Sequence, residues 1–180
     1  LQTKVETQKA FDSDEEFLRI ADIKVSIHYD CQAQQERIFE MIHRTNQLNF
    51  TKYREEKQPV LEMLEDPGYT CAYISCVDKF CDYGIVGFLA IDNVRHQFKH
   101  FLFSCRTIGM GVEQFIYAHF NFPELTVVGE VVTELNKQDK PEWIQLVEIG
   151  DRKREFSVET PKGKFLLKGP CDVSQIIPYF

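Results

Sequence analysis

The stretch Phe101 to Phe115, FLFSCRTIGMGVEQF, decides how the chain is read. Its opening, Phe101 to Cys105, is an apolar run suited to a buried strand. Arg106 ends the run, and Gly109 and Gly111 punctuate a turn. A helical pattern then starts at Val112, with Phe115, Ile116 and His119 or Phe120 recurring at spacings of three and four. A strand that enters a helix through such a turn leaves several backbone N–H groups aimed at one spot, at the positive end of the helix dipole. Glycine lets an anion reach that backbone, because a Cβ would hold it off. The turn formed by Cys105, Arg106, Thr107, Ile108, Gly109, Met110 and Gly111 is therefore the candidate site for a phosphate or pyrophosphate. Arg106 is its strongest member, since a guanidinium pairs with phosphate in a planar fork. The same spacing also serves a tight turn whose glycines only supply positive φ.

Bulk composition narrows the classes. At 180 residues and 21.1 kDa the chain suits one domain with a full core. Its 43% apolar and 13% aromatic residues are globular values, outside the disordered regime. A formal charge of −7 and a pI near 5.3 argue against a nucleic-acid binder, which would carry a basic face. No run of about 18 apolar residues exists to span a membrane. Neither does the opening LQTKVETQKAFDSDEEF have the apolar core of a signal peptide, so the expected location is cytoplasmic. The first residue is not Met, and an excised fragment is expected. The six cysteines include no C-x-x-C pair, and no His lies near Cys71, Cys76 and Cys81. No metal site is expected, and small buried thiols in a reducing compartment are.

Outward from the central stretch, Asp12, Ser13 or Asp14 caps a short helix carrying Phe17, Leu18 and Ile20. Ile23 to Ile27 alternates as a first strand. From Gln32 to about Leu48, the residues Ile38, Phe39, Met41 and Ile42 share one helix face. A charged second helix occupies 54–65, stopped by Pro67-Gly68. Strands follow at Cys71–Val77, at Ile85–Ile91 and at Lys99–Cys105. After the helix from 111 to about 120, Leu125–Val132 reads as another strong strand. Lys140 to about Ile149 reads as a helix with Trp143, and 156–167 as a hairpin. The order β-α-α-β-β-β-α-β-α-β-β is an α/β arrangement in which one later strand returns by a helical crossover.

The spacing Arg106-x-x-Gly109-x-Gly111 resembles the signature by which GNAT-fold N-acetyltransferases hold the pyrophosphate of acetyl-coenzyme A. Three further stretches resemble FkbH-like proteins. These are Arg37-Ile38 with Arg44-Thr-Asn-Gln-Leu-Asn49, the run from Val77 to Gly87, and Phe103-Ser-Cys-Arg-Thr-Ile-Gly-Met-Gly-Val-Glu113. The resemblance covers roughly residues 17–150. It implies a GNAT-like acyl-CoA N-acyltransferase fold, with a mixed central sheet flanked by helices over residues 21–168. It also implies flanks at 1–20 and 169–180, the latter leading to a further domain, and a HAD-type phosphatase-like domain upstream in the full-length protein. The D-x-D-x-T motif of that half is absent here.

What the resemblance implies about activity is a module that binds coenzyme A or the 4′-phosphopantetheine arm of an acyl carrier protein and assists acyl or glyceryl transfer. A self-sufficient acetyl-CoA-dependent N- or O-acetyltransferase is the alternative, with a backbone N–H of the central strand steadying the oxyanion. A degenerate structural domain is the third possibility. Departures from the pattern bear on the choice: Cys81 replaces a glycine, Asp139 an Asn, and Leu146 the Tyr that protonates a departing thiolate in acetyltransferases of this fold. Glu113, Tyr117 and Asp139 remain as candidate catalytic groups. Asn46, Gln47 and Asn49 at a helix end, with Asp78, Asp82 and Tyr83 between two buried strands, are candidate substrate contacts. Asx-type turn chemistry is the favoured explanation for Asp78, Asp82 and Tyr83, and capping of carbonyls explains Asn46, Gln47 and Asn49 as well as a substrate role does. Arg152, Lys153, Arg154, Lys162, Lys164 and Lys168 form a basic cluster that an acidic carrier would meet, or a solvated hairpin face.

Overall fold

The structure is a computed structural model and describes residues 14–148. A short helix α1, Asp14–Ile20, leads into strand β1, Ile23–His28. A 3₁₀ turn, Cys31–Gln34, opens helix α2, Gln35–Arg44, and a two-residue strand β2, Leu48–Asn49, follows. Helix α3, Lys57–Glu65, carries Pro59 in its first turn, where the missing N–H has no intrahelical acceptor to lose. Strands β3, Tyr69–Val77, β4, Asp82–Asp92, and β5, Gln97–Phe103, form an antiparallel meander. Helix α4, Val112–His119, and strand β6, Ile144–Leu146, complete the described elements.

The sheet is mixed and six-stranded, in the order β2-β5-β4-β3-β1-β6, with β6 parallel to β1 and the other neighbours antiparallel. Helices cover both faces. On one side Phe101, Phe103, Val86, Leu89 and Ile74 pack against Val112, Phe115, Ile116 and Tyr117 of α4. On the other, Phe88, Ala90 and Leu102 meet Ile38, Met41 and Ile42 of α2 and Val60 and Met63 of α3. Phe17 of α1 is 3% exposed, so the folded unit takes in residues ahead of 21. Among the described residues no helix is long and apolar enough to cross a membrane.

A bulge shapes β5. Ala90 pairs with His100 and Ile91 with Phe98, which leaves Lys99 without a partner on β4. The extra residue keeps Phe98 and Phe101 on the same face, their rings 4.4 Å apart, although three positions separate them. It also divides the outer edge of the strand. Ahead of it, Phe98 donates its N–H to Glu124 and Glu124 donates back to His96, a parallel bridge. Beyond it, Leu48 and Asn49 pair with Phe103 and Leu102, and Phe50 donates to Phe101.

Two expected elements are corrected here. The strand at Leu125–Val132 is absent, because β2 and Phe50 already take the edge of β5 that it needed. The segment is instead tied to them from outside, Val128 N–H to the Phe50 carbonyl and Val132 N–H to that of Gln47. Gly129 between these bonds has φ 68°, which breaks any extended run. The helix at Lys140–Ile149 is also absent. Pro141 and Trp143 pack on Gly111, and Ile144–Leu146 adds to the free edge of β1 as a strand. The expected hairpin at 156–167, the basic cluster and the C-terminal flank lie outside the described residues.

Gly87 is the tightest point of the sheet. A Cβ there would sit 2.6 Å from two ring carbons of the fully buried Phe103 and 3.3 Å from Cβ of Ile74. Gly87→Ala is expected to lower stability by about 1–3 kcal/mol, the usual cost of overpacking a core. Urea unfolding of the two proteins checks this, and equal midpoints would mean that Phe103 is free to move aside.

Candidate functional site

The loop after β5 is built by local chemistry. Ser104 is extended and caps the 3₁₀ turn Cys105–Thr107, its hydroxyl accepting from the N–H of Arg106. Thr107 is fully buried and donates its hydroxyl to the Ser104 carbonyl at 2.9 Å. Gly109 and Gly111 both lie in the left-handed region, at φ 78° and 80°. Backbone bonds engage the N–H groups of Thr107, Ile108 and Met110. Those of Gly109, Gly111 and Val112 have no acceptor among the described residues.

The two glycines differ in their surroundings. A Cβ on Gly109 would meet nothing within 4 Å, so that face is open. A Cβ on Gly111 would press on Pro141 and Trp143, each at 3.3 Å, and Trp143 fixes the loop further by donating its indole N–H to the Met110 carbonyl. Arg106 is exposed, reaches Ser104 and the Ile85 carbonyl, and makes no ion pair among the described residues. Cys105 and Ile108 stand at the surface.

Glu113, in the first turn of α4, is 1% exposed, and neither carboxylate oxygen has a hydrogen bond of good geometry. Burial pushes its carboxyl above the usual range, against weaker pull from its own N–H and from Thr133. Tyr117, one helical turn on, is also buried, and burial raises its phenol. It lines a cavity of about 640 Å³ with Phe50, Val131, Thr133 and Lys137. Asp139 stands apart from this pair in role. Its carboxylate accepts from the Asn136 side chain at 2.6 Å and its carbonyl from Gln114, which clamps the 136–139 turn to α4.

The six candidate substrate contacts form two groups: Asn46, Gln47 and Asn49 lie at β2 on the edge of the sheet beside Phe103, whereas Asp78, Asp82 and Tyr83 lie at the β3–β4 turn, beyond Gly87. Their polar groups serve the backbone there. Asp78 is 3% exposed and accepts from the N–H groups of Phe80 and Cys81 and from the Tyr83 hydroxyl. Asp82 accepts from the N–H of Gly84. Asn49 accepts from the N–H of Lys52, whose ammonium holds the Asn46 carbonyl. Gln47 is exposed and lends its carbonyl to Val132. The backbone of β5 that an acetyltransferase would turn toward a thioester is also engaged, through Phe50 and β2.

A polar cluster that the sequence does not announce sits beside the middle of β5. His100 is fully buried, with Nε2 3.0 Å from the Glu55 carboxylate, and Nδ1 has no partner among the described residues. Lys99, the bulge residue, reaches the other oxygen of Glu55 at 3.1 Å and lies 5.3 Å from the centre of the Tyr69 ring. Burial holds the imidazole below its usual range despite Glu55. The signal available in the sequence is His100 itself, a titratable residue inside the apolar run FKHFLF. Burial also pushes the thiols of Cys31 and Cys71 up to about 12, which suits inert core positions. Among the described residues no group of His, Cys, Asp and Glu is placed to hold a metal ion.

No protein-family model, curated protein or solved structure matches this chain.

The raised carboxyl of Glu113 has a signed consequence. A group whose folded pKa lies above its unfolded value takes up a proton on folding, so its contribution is favourable at low pH and is lost as pH rises. Glu113→Gln keeps the shape and removes that titration. The variant is expected to gain stability relative to the parent as pH rises from about 4.5, flattening above the folded pKa. Denaturation midpoints taken from pH 4 to 9 measure this, and parallel curves would show that the carboxyl has partners in solution.

Proposed function

We propose that this domain is a GNAT-like module that holds the phosphate end of coenzyme A or of a 4′-phosphopantetheine arm, as in an FkbH-like protein. The module assists transfer more than it performs it. The observation that carries the reading is the Ser104–Gly111 loop. Three N–H groups without an acceptor among the described residues, an open face at Gly109 and an Arg106 that makes no ion pair among those residues belong to one short loop between a strand and a helix. That is the arrangement a phosphate needs. Burial raises the Glu113 carboxyl above its usual range, which opposes the negative charge it would place at the positive end of α4.

Other features support binding over turnover. The strand edge beside which a thioester would lie is occupied by the chain's own Leu48–Phe50. Leu146, at the position of the expected proton donor, is on β6 and 47% exposed. A single observation favours a self-sufficient acyltransferase: buried Tyr117, which lines a cavity, lies one turn from buried Glu113 on α4. The acyl carrier protein and the upstream HAD-type domain belong to this proposal as partners.

Thermal melts with coenzyme A, acetyl-coenzyme A and 4′-phosphopantetheine test it. At about 100 times its dissociation constant a ligand stabilises the fold by about 2.7 kcal/mol. We expect such a shift with no acetyl-coenzyme A consumption, its loss in Arg106→Ala, and its weakening in Gly109→Ala. Sustained turnover that falls in Tyr117→Phe would favour the acyltransferase. No shift with any of the three would overturn both.

A further inference from the structure

Glu113 is 1% exposed, and neither of its carboxylate oxygens makes a hydrogen bond of good geometry among the described residues. An ionised carboxylate sealed from water without donors is costly, so this closed arrangement favours the protonated acid. Its place in the first turn of α4 would otherwise suit a negative charge, because the positive end of the helix dipole lies there. Exclusion of water is therefore what holds the proton on. Any movement that admits water lets it go.

The side chain that reaches this carboxyl from outside α4 is Thr133. It belongs to a thin stretch, 131–135, that is tied down near its two ends. Val132 donates its N–H to the Gln47 carbonyl at 3.0 Å, and just past the stretch Asn136 donates its N–H to the Gln114 side chain at 3.0 Å. Between these ties no backbone group of 133–135 is engaged among the described residues. Val131 and Leu135 are only partly buried against the core, and Val132 and Glu134 are exposed. A stretch held so sparsely opens locally at lower cost than a central strand does. Val131, Thr133, Glu134 and Leu135 also line the cavity of about 640 Å³, together with Phe50 and Tyr117.

Glu113 has no charged partner to hold it in either form. The influences on its carboxyl are burial, its own N–H and Thr133. Tyr117, its ionisable neighbour on α4, has a phenol that burial raises. Glu130, Glu134 and Lys137 on the covering stretch and its flanks, Asp139 and Lys140 beyond it, and Arg106 in the loop ahead of α4 are all exposed, and none of them shifts the carboxyl. We propose that residues 131–135 form a strap that stays closed over α4 while Glu113 is protonated and lifts when Glu113 ionises, so that rising pH opens the cavity beside Tyr117. The closed form holds the proton more tightly than the open one. Opening therefore grows as pH rises from about 4.5, by at most about tenfold per pH unit, and levels off above the closed-state pKa. The strap does not rest on the reading of the Ser104–Gly111 loop, and its failure would leave that reading untouched.

Amide hydrogen exchange of the whole chain from pH 4 to 8, with each rate referred to the intrinsic rate at that pH, tests this. The Val132 and Asn136 amides are expected to exchange by local opening, faster than Leu89 in the buried core of the sheet. Their protection should fall on the order of threefold or more as pH rises, then level. Glu113→Gln, which mimics the protonated acid, should keep both at their low-pH protection throughout. The proposal is overturned if Val132 and Asn136 exchange no faster than Leu89, since the strap would then open only with the whole fold. Protection that does not change with pH in the parent overturns it too, as does a Glu113→Gln variant that keeps the parent's fall. The parent profile alone decides the first two outcomes, even if the variant does not fold.

Discussion

The outer edge of β5 is shared between two segments of the chain, and the bulge at Lys99 sets the boundary between them. Glu124 takes the edge ahead of the bulge, and Leu48–Phe50 takes it beyond. A sheet edge has one row of donors and acceptors, so whatever occupies it excludes every other partner. The segment 125–132 is left to bond to Phe50 and Gln47 from outside. A cavity lined by Thr51 and Lys99 opens where the two segments part, and the one beside Tyr117 reaches Phe50 from the α4 side. Both cavities follow from a single division of hydrogen bonds.

The same strand sets the chemistry at its two ends. Its C-terminal end delivers the chain into the left-handed glycines and Arg106, which makes no ion pair among the described residues. Its first half carries Lys99 and His100 against the Glu55 carboxylate. Neither end resembles the other, although seven residues of one strand join them.

Much of the fold was legible because burial writes a period into the sequence. The alternation at Ile23–Ile27, the i, i+3, i+4 pattern of Ile38, Met41 and Ile42, and the apolar runs of β4 and β5 each became the expected element. The turn at Gly109 and Gly111 was legible for a different reason: positive φ calls for glycine, and the spacing shows it. What failed depended on competition. Leu125–Val132 has the residues of a strand, but nothing local reveals that Leu48–Phe50 reaches β5 first. Lys140 to about Ile149 reads as a helix, yet the free edge of β1 takes Ile144–Leu146 as a strand.

The candidate site was legible in the same uneven way. Arg106 and the glycines stand together in sequence, so they could be named from it. Asp78, Asp82, Asn46 and Asn49 stand out by polarity among apolar neighbours, but their oxygens and nitrogens serve turns. Polarity alone does not separate a ligand contact from a backbone cap. Glu55, Lys99 and Thr51 meet only through the bulge and the course of the chain after β2, which no spacing records.

The most direct measurement is amide hydrogen exchange at Phe50, with and without coenzyme A. If the chain's own segment holds the edge of β5, the Phe50 N–H bonded to Phe101 is protected in the free protein. It stays protected when a phosphate-bearing ligand occupies the Arg106–Gly111 loop. Rapid exchange in the free protein, or protection lost on adding ligand, would contradict the account and show that the edge opens to admit the arm.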